Sequence, residues 1–225
     1  MKSFKGINIL VTAGPTREYI DPVRYISNDS SGIMGLALVN SATRLNASVT
    51  LIHGPLTMVP QKGVRRLAVV SAGEMFRAVK KNYGSADIII MAAAVSDFRP
   101  AKYYEHKLKK TIGLSGHRTI ELVPNPDILS WLGKNRRKNQ VIIGFALETK
   151  NLIKNARKKL LEKKCDMIVA NYSSAIGQGK SSVKILTQKG VKDITRRSKP
   201  AVAKTILNQI GKLLPKQLTA HSGKL

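Results

Sequence analysis

Asp87–Ala92 reads DIIIMA, in which Asp87 is followed by an apolar, largely β-branched run with no alternation of polar and apolar positions. A strand of this kind has to be buried on both faces, which happens in parallel sheets covered by helices on either side. The same character returns at Ile7–Val11, Ser48–Ile52, Gln140–Phe145 and Asp166–Ala170, with Arg65–Val70 as a more polar relative. Helical segments fall between them. Ser71-Ala72-Gly73-Glu74 forms a capping box that opens a helix over 72–82. Pro126 starts another in the favoured first position, with Asn125 as its cap. A third runs over 150–164 with an apolar stripe of Leu152, Ile153, Ala156, Leu160 and Leu161. Strands that alternate with helices in this way predict an α/β, Rossmann-like, mostly parallel sheet with helices on both faces.

The first strand leads into an unusual connection. About fifteen residues, many of them polar, separate Pro15 from the next helix, far more than an ordinary strand-to-helix turn needs. Asn28, Asp29, Ser30 and Ser31 precede Gly32 and the apolar Ile33 and Met34, so they are expected to cap that helix. Strand, long loop and helix start together make an anion site, because the first N–H groups of a helix point outward toward negative charge. A G-x-G-x-x-G turn is absent, which argues against a dinucleotide fingerprint. A nicotinamide-dependent reductase is thus only an alternative, since the second strand also ends at His53-Gly54 with no acidic residue.

Two excursions leave the pattern. Residues 100–118 are polar and lysine-rich and are expected to form a flap, followed by a strand at Thr119–Val123. Val183–Thr187 and Val191–Thr195 predict a hairpin, about 181–196, with Gly190 in its turn. A last amphipathic helix covers Pro200–Leu213. Residues 1–214 are expected to form one domain and 215–225 a frayed basic tail.

The formal charge of +26 would attract any polyanion. Aromatic residues make up only 5%, however, and neither an aromatic RNA-binding stretch nor zinc-ligand spacing is present. A basic nucleic-acid-binding protein is therefore a second alternative, with nucleic acid not expected as a specific ligand. The single cysteine, Cys165, rules out an internal disulfide and suits a reducing compartment. It is expected to be a buried small apolar group. The absence of a long apolar span or a cleavage pattern near the N-terminus predicts a cytoplasmic protein with no membrane association.

Six stretches then combine in order: TAGPTREYIDPVRYISNDSSGIMG, MAAAVSDFRP, HKLKK, NPDI, GFALET, and the Lys159/Lys163 pair ahead of DMIVAN. Together they resemble phosphopantothenate–cysteine ligase (phosphopantothenoylcysteine synthetase), a family of coenzyme A biosynthesis, in its free-standing bacterial form. The resemblance implies a CTP-dependent ligation in which the carboxylate of 4′-phosphopantothenate attacks the α-phosphate, giving an acyl-cytidylate and pyrophosphate. The amine of cysteine then displaces CMP. It also implies Mg²⁺, a homodimer, and a separate phosphopantothenoylcysteine decarboxylase as pathway partner.

Carried over residue by residue, the resemblance implies two catalytic groups. Asn28 would donate to the carbonyl oxygen on which charge develops as cysteine attacks. Lys107, on the flap, would neutralise the triphosphate during transfer. Nucleotide contacts are implied at Met91, Ala92, Ala93, Asp97, Lys107, Pro126, Asp127, Ile128, Leu129, Phe145, Lys159 and Lys163. Asp97 and Asp127 are the carboxylates that could face Mg²⁺, but the metal ligands stay undetermined. The chain departs from the family pattern at Tyr172, where an aspartate is usual, and at Ser181-Ser182, where an asparagine usually opens the hairpin.

Overall fold

The computed structural model describes residues 3–56, 58, 61–110, 119–172 and 180–215. Its elements follow one another as β1 (Asn8–Ala13), β2 (Arg17–Tyr19), β3 (Tyr25–Ser27), α1 (Ile33–Arg44), β4 (Ser48–His53) and β5 (Arg65–Ala68). Next come α2 (Ala72–Asn82), β6 (Ile88–Met91), β7 (Phe98–Pro100), β8 (Leu122–Pro124), α3 (Ile128–Asn135) and β9 (Val141–Glu148). The chain continues through α4 (Leu152–Glu162), β10 (Met167–Tyr172), β11 (Lys180–Thr187), β12 (Gly190–Ser198) and α5 (Lys199–Leu213).

Eight strands form one sheet in the order β12-β11-β10-β9-β6-β1-β4-β5. From β5 to β10 every neighbouring pair is parallel; β11 and β12 extend the sheet antiparallel. The chain winds outward from β1 in one direction through β4 and β5, and from β6 in the other through β9 and β10. Between β1 and β6 the winding reverses, and a crevice opens at the carboxyl ends of those strands.

Side-chain alternation along the strands builds two separate cores. Ile9, Val11, Ile143 and Val169 face α1 and α5, meeting Leu38, Val39, Ile206 and Ile210. Leu10, Ile89, Ile142 and Ile168 face α2, α3 and α4, meeting Met75, Val79, Leu132, Ala156 and Leu160. Because β6 is buried throughout, neither face of it could accept a polar residue without an uncompensated cost.

Several boundaries differ from the sequence expectation. The cap of α1 is Gly32 itself, at φ 69°, with no side-chain cap bond. Asn28 points elsewhere, and the Ser30 hydroxyl accepts from the Gly32 N–H at 3.3 Å. A side chain at Gly32 would also run into Leu56 and Gly14, so only glycine fits. The cap of α3 is Asp127, whose carboxylate accepts from the Ser130 N–H at 2.8 Å; Asn125 instead donates to the Ser96 carbonyl. On α4, Leu152, Ala156 and Leu160 are buried, whereas Ile153 and Leu161 are 42% and 63% exposed. Those two follow the buried positions by one residue, a rotation that carries them off the core face. The strand expected at Thr119–Val123 is β8, which pairs antiparallel with β7 as a small separate ribbon. The hairpin β2–β3 was not anticipated. The capping box of α2 is present, with Ser71 accepting from Glu74 N–H at 3.2 Å, although Glu74 reaches back to Val70 N–H. The hairpin of β11 and β12 is present too, with a register shift between Ser181 and Val183. Among the described residues, no helix is long and apolar enough to cross a membrane.

Candidate functional site

At the switch point, the loops after β1 and β6 are zipped together. Ala94 N–H donates to Gly14 carbonyl at 2.9 Å and Thr16 N–H to Ala94 carbonyl at 3.2 Å. The buried hydroxyls of Thr12 and Thr16 accept from the Ala93 and Ser96 N–H groups at 3.2 and 3.0 Å. This fixes 91–97 as one wall of a groove. The facing wall is the start of α3, and the floor is β9 and α4. The cavity is about 460 Å³.

Ten of the twelve nucleotide positions suggested by the sequence line this groove: Met91, Ala93, Asp97, Pro126, Asp127, Ile128, Leu129, Phe145, Lys159 and Lys163. Val95, Ser96 and Asn125 join them, and the sequence reading had missed these three. Adjacency to known members of the wall was the signal that could have found them: Val95 and Ser96 lie inside MAAAVSDFRP, and Asn125 opens NPDI. Ala92 is not in the lining; it packs toward the α1/α5 core, since successive side chains on a strand end point opposite ways. Lys107 is also outside the lining. It is exposed, in the segment that precedes the undescribed residues 111–118. Part of the expected flap therefore lies outside the described residues.

The lysines of α4 arrive already oriented. Lys159 Nζ donates to the Phe145 carbonyl at 2.8 Å, and Lys163 Nζ to the Asp127 carboxylate at 2.6 Å. Lys163 is the C-cap residue that ends α4, one turn beyond Lys159, and both line the groove. Burial lowers the pKa of the Lys159 ammonium, against the opposing pull of Asp127, Asp97 and Glu148. A cation held in this state gains from any anion that replaces its lost hydration. For Asp127, burial would raise the carboxyl pKa, but the bonds from Lys163 and the Ser130 N–H, with the charge of Lys159, hold it below the usual value.

Gly133 makes the α3–α4 approach possible. A Cβ there would lie 2.0 Å from the Lys163 carbonyl oxygen. Arg136 reinforces the contact by bonding the Lys164 carbonyl at 3.3 Å and the Asp166 carboxylate at 2.9 Å. The helix α3 then aims its first turn into the groove, where the N–H groups of Ile128 and Leu129 have no intrahelical acceptor. Donors at a helix start and two ammonium groups suit a polyphosphate, and the apolar Met91, Ala93, Leu129 and Phe145 suit a flat ring.

Asn28 sits one residue beyond β3. Its Nδ2 donates to the Val95 carbonyl at 3.0 Å, so it stands at the rim beside a lining residue. An amide nitrogen carries two hydrogens, and one bond leaves the second for a substrate oxygen.

Divalent-ion capacity is narrower than the sequence suggested. Asp127 is engaged as cap and ion-pair partner, while Asp97 makes no side-chain hydrogen bond or ion pair among the described residues. No cluster of three or more acidic, His or Cys groups is present among them. One carboxylate plus phosphate oxygens is the way Mg²⁺ is commonly held, and Asp97 fits that use. Cys165 is buried behind the groove floor, as expected, and burial pushes its thiol up to about 12. Ser181 is buried in β11 and Tyr172 is exposed at the end of β10; neither is part of the groove lining.

Comparison with known proteins sets these residues in context. The family described as DNA/pantothenate metabolism flavoprotein C-terminal domain matches residues 4–214. The Coenzyme A biosynthesis bifunctional protein CoaBC of Vibrio vulnificus (strain YJ016) is 44% identical over 217 residues, covering 95% of this chain and 54% of its own length. The chain thus spans about half the length of the curated relatives it matches. The crystal structure of the C-terminal domain of a Coenzyme A biosynthesis bifunctional protein CoaBC is 41% identical, covering 93% of this chain and 96% of that one with a TM-score of 0.79. A Cab2 structure solved with phosphopantothenate-cysteine superposes with a TM-score of 0.82 over 98% of this chain and 90% of that one. At 17% identity the Cab2 likeness speaks to the fold.

Proposed function

The chain belongs to the DNA/pantothenate metabolism flavoprotein C-terminal domain family, and from that membership we propose that it ligates cysteine to 4′-phosphopantothenate at the expense of CTP. The observation that carries the reading is the groove, in which Lys159, Lys163 and the start of α3 face one cavity with Asn28 at its rim. Similarity to CoaBC proteins, named for coenzyme A biosynthesis, supports it.

In this reading the base and ribose of CTP lie along Met91, Ala93, Leu129 and Phe145, with the triphosphate toward Lys159, Lys163 and the first turn of α3. Mg²⁺, held by Asp97 and the phosphates, would add positive charge at the polyphosphate. The phosphopantothenate carboxylate attacks the α-phosphorus and pyrophosphate leaves, with Lys107 balancing the charge that accumulates. Holding the two anions in one cleft removes most of the entropic cost of their encounter. Asn28 then donates to the acyl carbonyl as the cysteine amine adds, and CMP departs.

Residues 1–214 serve as one ligase domain, acting in the cytoplasm as a homodimer, and a decarboxylase takes the product. The direct experiment incubates the protein with phosphopantothenate, CTP, Mg²⁺ and cysteine. Pyrophosphate release that requires phosphopantothenate, followed by cysteine-dependent CMP release, is the expected result. No turnover by folded protein would refute the reading, as would equal turnover of an unrelated acid. Retention on an analytical column at the monomer's mass would refute the dimer.

A further inference from the structure

Asp21 sits in the turn between β2 and β3 and is completely buried. Its carboxylate is fully used. Oδ1 accepts from the Val23 and Arg24 N–H groups, each at 2.8 Å, which closes the turn. Oδ2 faces the other way and accepts from the Leu108 N–H at 3.1 Å, across 87 residues of sequence. Arg24 bridges the same junction, with one guanidinium nitrogen 3.0 Å from Asp21 Oδ2 and 3.0 Å from the Leu108 carbonyl. A second tie lies four residues earlier, where Tyr104 N–H donates to the Ile20 carbonyl at 2.9 Å. Lys107 is therefore strapped between two bonds to one hairpin, one to a backbone carbonyl and one to the Asp21 carboxylate. The other end of that hairpin, after β3, carries Asn28.

Resting on the ligase reading above, we propose that Asp21 is a positioning residue: with Arg24 it latches the flap base to the β2–β3 hairpin, so that Lys107 and Asn28 are held by a single element. A buried carboxylate with four donors is costly to assemble, and a turn alone needs only the two on Oδ1. The pair on Oδ2 serves the flap. Hydrogen bonds to a charged acceptor are the stronger kind, which suits a contact that must fix an exposed segment.

Asp21→Asn separates the two halves of the latch. With its oxygen kept on the turn, the amide nitrogen meets the Leu108 N–H and the guanidinium, donor against donor. Arg24→Met removes the bridge while leaving the carboxylate, at a side chain that is 46% exposed and so tolerant of change. The test uses the full chain. Amide exchange of Leu108 should quicken about tenfold or more in both variants, a local opening that leaves the core protected. Pyrophosphate release should lose about 10-fold to 100-fold in kcat with the KM for CTP little changed, as expected for a misplaced group. In a Lys107→Gln background either change should cost nothing further, because the residue it positions is already gone.

Unaltered Leu108 exchange in both variants overturns the latch. Losses that multiply on top of Lys107→Gln overturn the positioning role and leave only a structural one. Should Asp21→Asn fail to fold, Arg24→Met decides both points alone. Silence from the wild-type chain overturns the ligase reading instead, and the exchange rates still judge the latch.

Discussion

The groove and the flap base are held by different kinds of structure. The groove is made of strand ends, a helix start and two lysines that rest on the central sheet, with a glycine contact locking α3 to α4. The flap base hangs on the short hairpin β2–β3 and the ribbon β7–β8, each of three residues per strand, by a few hydrogen bonds. The strand ends and helix starts of the first are continuous with a close-packed core. The second is held by a handful of hydrogen bonds centred on Asp21, outside that core. If the cleft takes the nucleotide and the arm serves the chemistry, as proposed above, affinity and turnover should separate under mutation.

The sharpest way to break that comparison is Lys107→Gln. It should lower pyrophosphate release by about 10²–10³-fold, the usual loss for a group that stabilises developing charge. CTP affinity, measured by calorimetry, should change far less. Equal losses in both would place Lys107 in the groove after all. Lys159→Met tests the opposite side. Removing one charge-assisted contact of about 1.5–3 kcal/mol should weaken CTP binding about 10-fold to 100-fold while kcat at saturation stays close to wild type.

A pH titration gives a smaller signal of known sign. Burial lowers the Lys159 pKa from 10.5, and a bound triphosphate would raise it again. CTP is then bound most tightly below the free-state value and loses at most about tenfold per pH unit as alkalinity rises through it. Flat affinity over that range in wild type, with the same flat line in Lys159→Met, would remove Lys159 from the phosphate site. The smallest effect is expected at Gly133→Ala. Overpacking against the Lys163 carbonyl should cost about 1–3 kcal/mol, lowering the melting midpoint by several degrees and loosening CTP binding with it.

The sequence made the sheet legible because β6, β9 and β10 are buried on both faces and leave no other way to read their composition. It made most of the groove legible too, since resemblance pointed to NPDI and GFALET and the sheet places both beside the switch point. Other features depended on long-range geometry. Asn28 looks like a helix cap from its neighbours, yet its amide bonds Val95, 67 positions away. Asn125 and Asp127 exchange roles because Ser96 competes for one of them. Asp21 carries no local sign that its carboxylate reaches Leu108. Such pairings are fixed by where the elements meet, and no periodicity encodes them.

Cys165 has a consequence of a different order. Its sulfur is buried, and a thiol pushed to about 12 is almost entirely un-ionised at neutral pH. Exchange with a disulfide needs the thiolate, so this side chain is slow to attack cystine or to accept glutathione. On the proposed ligase reading, the chain handles an amino thiol at every turnover, and this burial keeps it from becoming cross-linked to that substrate when the thiol oxidises.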